Sequence, residues 1–128
     1  MKVSVVLIGE EAPLYSMIEH SKSLKNIDIV GIVSSEKGLN RIKNLLETYP
    51  RYNSISCPIF NYEEIEKLPH SFDYLINAFS IIILKKSILN RVKKKSLNIH
   101  PGLLPDYAGL HVHQWAIRHS QSFTGCTI

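Results

Sequence analysis

The chain has 128 residues, of which 45% are hydrophobic and 20% charged, with a formal net charge of +4. That is the size and composition of one soluble globular domain with a core of its own, and no apolar run approaches the ~20 residues of a membrane span. The opening apolar run, with Gly9 behind it, is too short for a signal peptide and has no small-residue cleavage site after it, so the expected location is the cytoplasm.

Short apolar runs alternate with amphipathic stretches of helical length. Residues 2–8 are β-branched and end at Gly9, which predicts a buried strand; residues 13–24 carry apolar positions at helical spacing, with Pro13 suited to a first turn. Residues 27–33 form a second apolar run. Residues 39–49 read as a helix that stops before Pro50. A short strand follows at 55–60. Asn61 then caps a helix over 62–68, with Glu64 three positions on completing a capping-box pattern. Residues 74–79 predict a strand, 86–92 a short helix, 96–100 a buried strand, 111–119 a helix and 124–128 the start of another strand. Strands alternating with helices predict an α/β fold, Rossmann-like and three-layered, with a mostly parallel sheet covered on both faces.

Several features carry no specific chemistry. Lys85, Lys86 and the run Lys93, Lys94, Lys95 hold much of the positive charge, and without interleaved aromatics they read as a solvated face rather than a nucleic-acid patch. Cys57 and Cys126 lack metal-type spacing; a disulfide does not fit a cytosolic chain, and Cys126 reads as an inert buried thiol. The first strand–helix turn, Gly9 to Pro13, contains one glycine and two acids. It is neither a dinucleotide fingerprint nor a phosphate-binding P-loop. Glu10 and Glu11 would repel a phosphate; they read as first-turn acids facing the helix dipole, with an acid/base pair as the alternative. Ile81 to Leu84 forms an apolar stretch that reads either as a core extension or as a loop against a flat heterocycle.

The most informative run is Asn98-Ile99-His100-Pro101-Gly102-Leu103-Leu104-Pro105, followed by Gly109 and by Thr124-Gly125-Cys126-Thr127. Residues two apart on a strand share a face, so Asn98 and His100 enter one space at the strand's carboxyl end, where open α/β sheets place their ligands. An Asn amide can donate to a carbonyl oxygen that is gaining charge. A His can take a proton from an amine near neutral pH. The pair suits acyl transfer to an amine; taken alone it is also that of a turn-capping Asn beside a histidine at the core edge. His111 and His113 could be added to His100 as metal ligands, but at a helix start they fall roughly 200° apart. With no carboxylate or Cys cluster beside them, no metal site is expected.

This run resembles the signature of the folate-dependent formyltransferases, which include the glycinamide ribonucleotide, methionyl-tRNA and sugar-amine enzymes. The resemblance spans the chain and is specific from about residue 74 onward. It implies that 1–128 is the N-terminal catalytic domain of such an enzyme, with the C-terminal part missing. It implies 10-formyltetrahydrofolate as co-substrate, with Asn98 on the formyl oxygen, His100 assisting the attacking amine, and Ile82, Ile83 and Leu84 contacting the pterin. Trp115 would be core or a lining of the folate pocket. The acceptor would be a primary amine of a small metabolite, a nucleotide-sugar amine or a glycinamide ribonucleotide-like compound; the stretch Gly109 to His113 looks most like the ribonucleotide enzymes. Nucleic acid enters only as tRNA, if the chain is the catalytic part of a methionyl-tRNA formyltransferase. The family completes its triad with an Asp from a loop beyond the histidine, which would lie past Ile128, and its ribonucleotide members use a phosphate loop that Glu10 and Glu11 do not supply. A truncated, inactive folate-binding fragment is therefore the other alternative. Oligomeric state is not legible in the sequence.

Overall fold

The β-branched run Val3–Gly9 (β1) forms the middle of a five-stranded sheet. The computed structural model describes residues 2–49 and 56–128. After β1 come α1 (Glu11–Ser21), β2 (Ile27–Ser34), α2 (Glu36–Thr48), β3 (Ile59–Asn61), a 3-10 helix (Tyr62–Lys67), β4 (Phe72–Ala78), α3 (Lys86–Leu89), β5 (Val92–Ile99) and α4 (Val112–Arg118). The strand order is β3-β2-β1-β4-β5 and every described pairing is parallel. The chain winds outward from β1 to β3, then returns to lay β4 on the other side of β1. The strand order therefore reverses between β1 and β4, and the crevice beyond their carboxyl ends is the place such a sheet offers a ligand.

Both faces of the sheet centre are covered. Leu14 and Ile18 of α1 and Ile42 of α2 pack on Val5, Leu7 and Ile32. On the other face Ile65, Leu68 and Ile88 pack on Val6, Ile8, Val33 and Leu75, with Ile82 and Leu84 at the margin. β1 and β4 approach closely where they end: a Cβ on Gly9 would sit 2.4 Å from the Ala78 carbonyl oxygen. Glycine is required there by space.

The local signals account for several boundaries. Ser35 accepts from the Gly38 N–H at 3.1 Å and starts α2 ahead of the expected residue 39. Asn61 makes the anticipated capping box with Glu64, but the helix it starts is 3-10 rather than α. Six residues followed by Leu68-Pro69 leave no room for an α-helical run, because the residue before proline is pushed out of the helical region. The expected strand at 55–60 is found as β3, three residues long; Ile55 lies outside the described residues, as does the Glu11 side chain.

β5 differs most. It begins at Val92, not 96, so Lys93, Lys94 and Lys95 lie in a strand, and α3 ends early at Leu89. Nor is β5 buried: residues 93–98 are exposed, because β5 pairs with β4 alone among the described strands. Lysines are what an edge strand tolerates and a central one does not. The expected strand at 124–128 is reduced to one antiparallel bridge, His100 with Thr127.

Two polar contacts tie the sheet together. At the amino end, Ser4 N–H and Oγ–H both donate to Asp73 Oδ2, at 2.9 and 3.0 Å, and Asp73 N–H returns a bond to Ser4 Oγ at 3.0 Å. At the carboxyl end, Glu10 follows β1 directly and its carboxylate gathers three donors. Oε1 accepts from Ser35 N–H at 3.0 Å and from the Tyr62 phenol, and Oε2 accepts from Ser35 Oγ at 2.8 Å, while the Ser34 hydroxyl donates to Gly9 O at 2.7 Å. One side chain thus binds the first turn to the cap of α2 and to the 3-10 helix. Burial first, and the Glu10 carboxylate second, push the Tyr62 phenol well above its ordinary value.

Glu10→Ala leaves those donors without their acceptor and is expected to lower unfolding free energy by about 2–4 kcal/mol. Urea denaturation checks this, and a loss under about 0.5 kcal/mol, the size of an ordinary surface change, would show the knot to be idle. Asp73 gives a pH signature. The Ser4 N–H, then the Ser4 hydroxyl, hold its carboxyl below the usual range, so its contribution is full above the unfolded value of about 3.9 and fades as pH falls through the lower folded value. Asp73→Asn should therefore unfold at lower urea than the unmodified chain near neutral pH, with the gap narrowing as pH falls below the ordinary carboxylate range and through the lower folded value; a gap independent of pH contradicts the assignment.

Candidate active site

The turn after β4 and the loop after β5 build the site. Phe79 leaves β4 with a left-handed backbone (φ 56°), and its N–H donates to Ile99 O at 3.2 Å. For a residue with a Cβ this conformation costs about 1–2 kcal/mol, and it turns the chain so that Ser80 reaches back to the side chain of Asn77. After β5, His100 is pinned by its bridge to Thr127, with N–O distances of 2.8 and 3.0 Å. Thr127 Oγ1 donates to Gly102 O at 2.7 Å and accepts from Leu104 N–H at 3.1 Å. Gly102 is pressed against this loop: a Cβ there would meet Tyr107 O at 2.7 Å and His100 Nε2 at 3.2 Å.

These constraints set the two side chains singled out in the sequence. His100 Nε2 lies 2.6 Å from the Tyr107 carbonyl oxygen. A carbonyl only accepts, so Nε2 carries the proton, and the neutral ring keeps its lone pair on Nδ1. Asn98 stands opposite Asn77 in the β4–β5 register. Asn77 Nδ2 donates to Asn98 Oδ1 at 3.0 Å, and Ser80 Oγ donates to Asn77 Oδ1. With its oxygen engaged, Asn98 turns its own NH2 outward as a donor.

Two hollows meet at Asn98. One, of about 250 Å³, is lined by Leu75, Ile82, Leu84 and Leu97 among others, with Asn77 and Asn98 at its polar edge. The other, of about 750 Å³, lies over the carboxyl ends of the strands and includes Lys37, His100, His111 and His113. Asn98 is the residue the two share. No carboxylate lines the larger cleft among the described residues.

The expected loop residues divide. Ile82 and Leu84 are half-buried and line the smaller hollow; Ile83 is 90% exposed and does not. The stretch is irregular backbone, not a continuation of β4. Trp115 is 47% exposed, in a shallow hollow with Tyr107 and His119, and is not core. Cys126 is exposed, outside any strand, with its thiol donating to His100 O at 3.0 Å; the expected burial is wrong because the segment makes one bridge and no strand. Among the described residues no three His, Cys, Asp or Glu side chains gather as metal ligands, and no helix is long and apolar enough to cross a membrane. Sequence reasoning missed Lys37 and Asn77. Lys37 reaches the site only through the fold. Asn77 had a signal: a lone amide inside an apolar strand.

The comparisons agree with this geometry. The chain matches the formyl transferase family over residues 1–128. It is 28% identical over 136 residues to the phosphoribosylglycinamide formyltransferase of Escherichia coli (strain K12), covering 100% of this chain and 64% of that enzyme. It is 30% identical over 96 residues to a methionyl-tRNA formyltransferase of Nostoc sp., covering 67% of this chain and 28% of that protein. The crystal structure of a formyltetrahydrofolate deformylase from Pseudomonas syringae pv. tomato shares the fold, with a TM-score of 0.75 at 19% identity over 99% of this chain and 45% of its own. This chain spans less than two thirds of the length of each. From its first strand to the loop around His100, it belongs to the formyl transferase family.

Proposed function

We infer that this chain carries the transfer site of an enzyme that moves a formyl group from 10-formyltetrahydrofolate to the primary amine of a small anionic metabolite. The observation that carries the reading is the position of Asn98 between an apolar hollow and a cleft edged by Lys37 and three histidines. The apolar hollow, with Ile82 and Leu84 on one wall and amide groups at its edge, fits one end of a flat heterocycle. When bound, the folate supplies the activated formyl carbon. The outward NH2 of Asn98 donates to the formyl oxygen as it gains negative charge. Nδ1 of His100 takes the proton released by the attacking amine as the new C–N bond forms, and that proton is available to the leaving nitrogen when the old C–N bond breaks. The metabolite's anionic group lies towards Lys37, His111 and His113. It does not lie in the first turn, because Glu10 stands in that turn as the cap of α1 and its carboxylate would repel an anion.

This favours a nucleotide-linked amino sugar or another phosphorylated amine held from the Lys37 side over a ribonucleotide whose phosphate sits in the first turn. The similarity to the Nostoc enzyme keeps methionyl-tRNA as the second acceptor to test.

Incubation of the full chain with 10-formyltetrahydrofolate and each amine, read by mass spectrometry for the N-formyl product, tests the reading. Transfer is expected to one of the anionic small amines. Formate release without an N-formyl product would show that water is the acceptor and overturn it. Asn98→Ala should lose about 10²–10³ in kcat, together with a loss of about 1–3 kcal/mol in stability from leaving the buried Asn77 amide without its acceptor. His100→Ala should lose about 10²–10⁴, and Lys37→Ala should raise the KM of the anionic amine while leaving that of the folate unchanged.

A further inference from the structure

Asn77 is one of two buried polar side chains among the described residues, 8% exposed in a strand whose neighbours are Leu75, Ile76 and Ala78. A buried amide at such a position is costly unless bonded, and an apolar residue is the default on that face, where Leu75 belongs to the core. Its bonds do not hold the fold's interior together. Nδ2 donates to Asn98, an exposed residue, and Oδ1 accepts from Ser80 in the left-handed turn after β4. The register that sets Asn77 against Asn98 puts both on one face of the sheet, beside the smaller hollow.

We propose that Asn77, locked by Ser80, is the positioning residue that fixes the Asn98 amide with its NH2 towards the transfer site. The inference rests on the formyl-transfer reading and deepens it. A terminal amide rotates about a broad torsion, and with its two ends exchanged Asn98 would present an oxygen, which repels the developing oxyanion. The Asn77 donor engages Asn98 Oδ1, and the Ser80 hydroxyl, donating to Asn77 Oδ1, keeps the Asn77 amide itself from reversing. The donors are thereby set before substrate arrives, which is what preorganised oxyanion stabilisation requires.

The test uses two replacements in the full chain. Asn77→Val removes the donor and fills the site with a strand-forming apolar residue; Asn77→Gln keeps a side-chain amide donor on a stem one methylene longer, beside the smaller hollow. Stability of Asn77→Val is expected to equal or exceed that of the unmodified chain, while its kcat falls about 10- to 100-fold with little change in KM. Asn77→Gln should recover part of that loss, and Ser80→Ala should fall between Asn77→Val and the unmodified chain. Equal kcat in the Val variant and the unmodified chain, or a loss that follows stability alone, overturns the proposal. A second measurement needs no turnover: in selectively ¹⁵N-labelled protein the Asn77 side-chain amide should exchange slowly with water and that of Asn98 rapidly, and any other pattern overturns the proposal. If no variant and not even the unmodified chain transfers formyl, the functional reading falls while the exchange measurement still decides how Asn98 is held.

Discussion

The site depends on how β5 is laid against β4. Phe72 pairs with Val92, but Tyr74 pairs with Lys95, so β5 spends one more residue than β4 over the same stretch. That extra residue, among the lysines, sets everything beyond it: Leu75 against Ser96, Asn77 against Asn98, Ala78 against Ile99. Side chains alternate from face to face along a strand, so a slip of one residue inverts every one of them. Without the bulge Asn77 would face Leu97, and Asn98 would lie on the opposite side of the sheet from the hollow it now edges. Bulges re-aim side chains in this way next to functional sites. Here an irregularity some five residues upstream decides where an amide points.

The carboxyl end of the sheet is finished with the chain's own polar groups rather than left open for a ligand to complete. Glu10 fills the position that a helix start offers an anion. Gly9 lets β1 and β4 close up behind it. Phe79 bends the turn after β4, and the bridge from Thr127 anchors His100 on the other side. The hollows that remain are therefore shaped before anything enters them, one apolar and one edged by Lys37 and three histidines, and they touch at a single side chain.

Much of this was legible in the sequence where the determinant is local. The strand that delivers Asn98 and His100 shows through its alternation and the proline–glycine loop behind it, and the cap at Asn61 shows through Glu64 three positions on. What failed to show is non-local. Three consecutive lysines hide the first half of β5, because an edge strand has no buried face to impose alternation. The donors on Glu10 come from Ser35 and Tyr62, so its role is invisible in its own neighbourhood, where it reads as a helix-start acid. Cys126 looked buried because its flanks resemble a strand that forms only one bridge. Asn77 went unremarked although it is an amide in an apolar run, and its partner lies on another strand and is fixed only by the bulge.

The lysines of β5 also have a bearing on long-range electrostatics. At ~3.3 Å per residue, Lys93 stands roughly 23 Å along the strand from His100, while the Debye length at physiological ionic strength is about 8 Å. The near end of the cluster is closer: Lys95 stands about 10 Å along the strand from Asn98, little more than one screening length. At physiological salt the far lysines are thus screened from the cleft, while Lys95 and the nearby Lys37 both contribute to its potential. In dilute buffer, where the screening length grows to about 30 Å, all three lysines of β5 reach it, so measurements at low ionic strength would see a more attractive cleft than the one that operates at physiological salt.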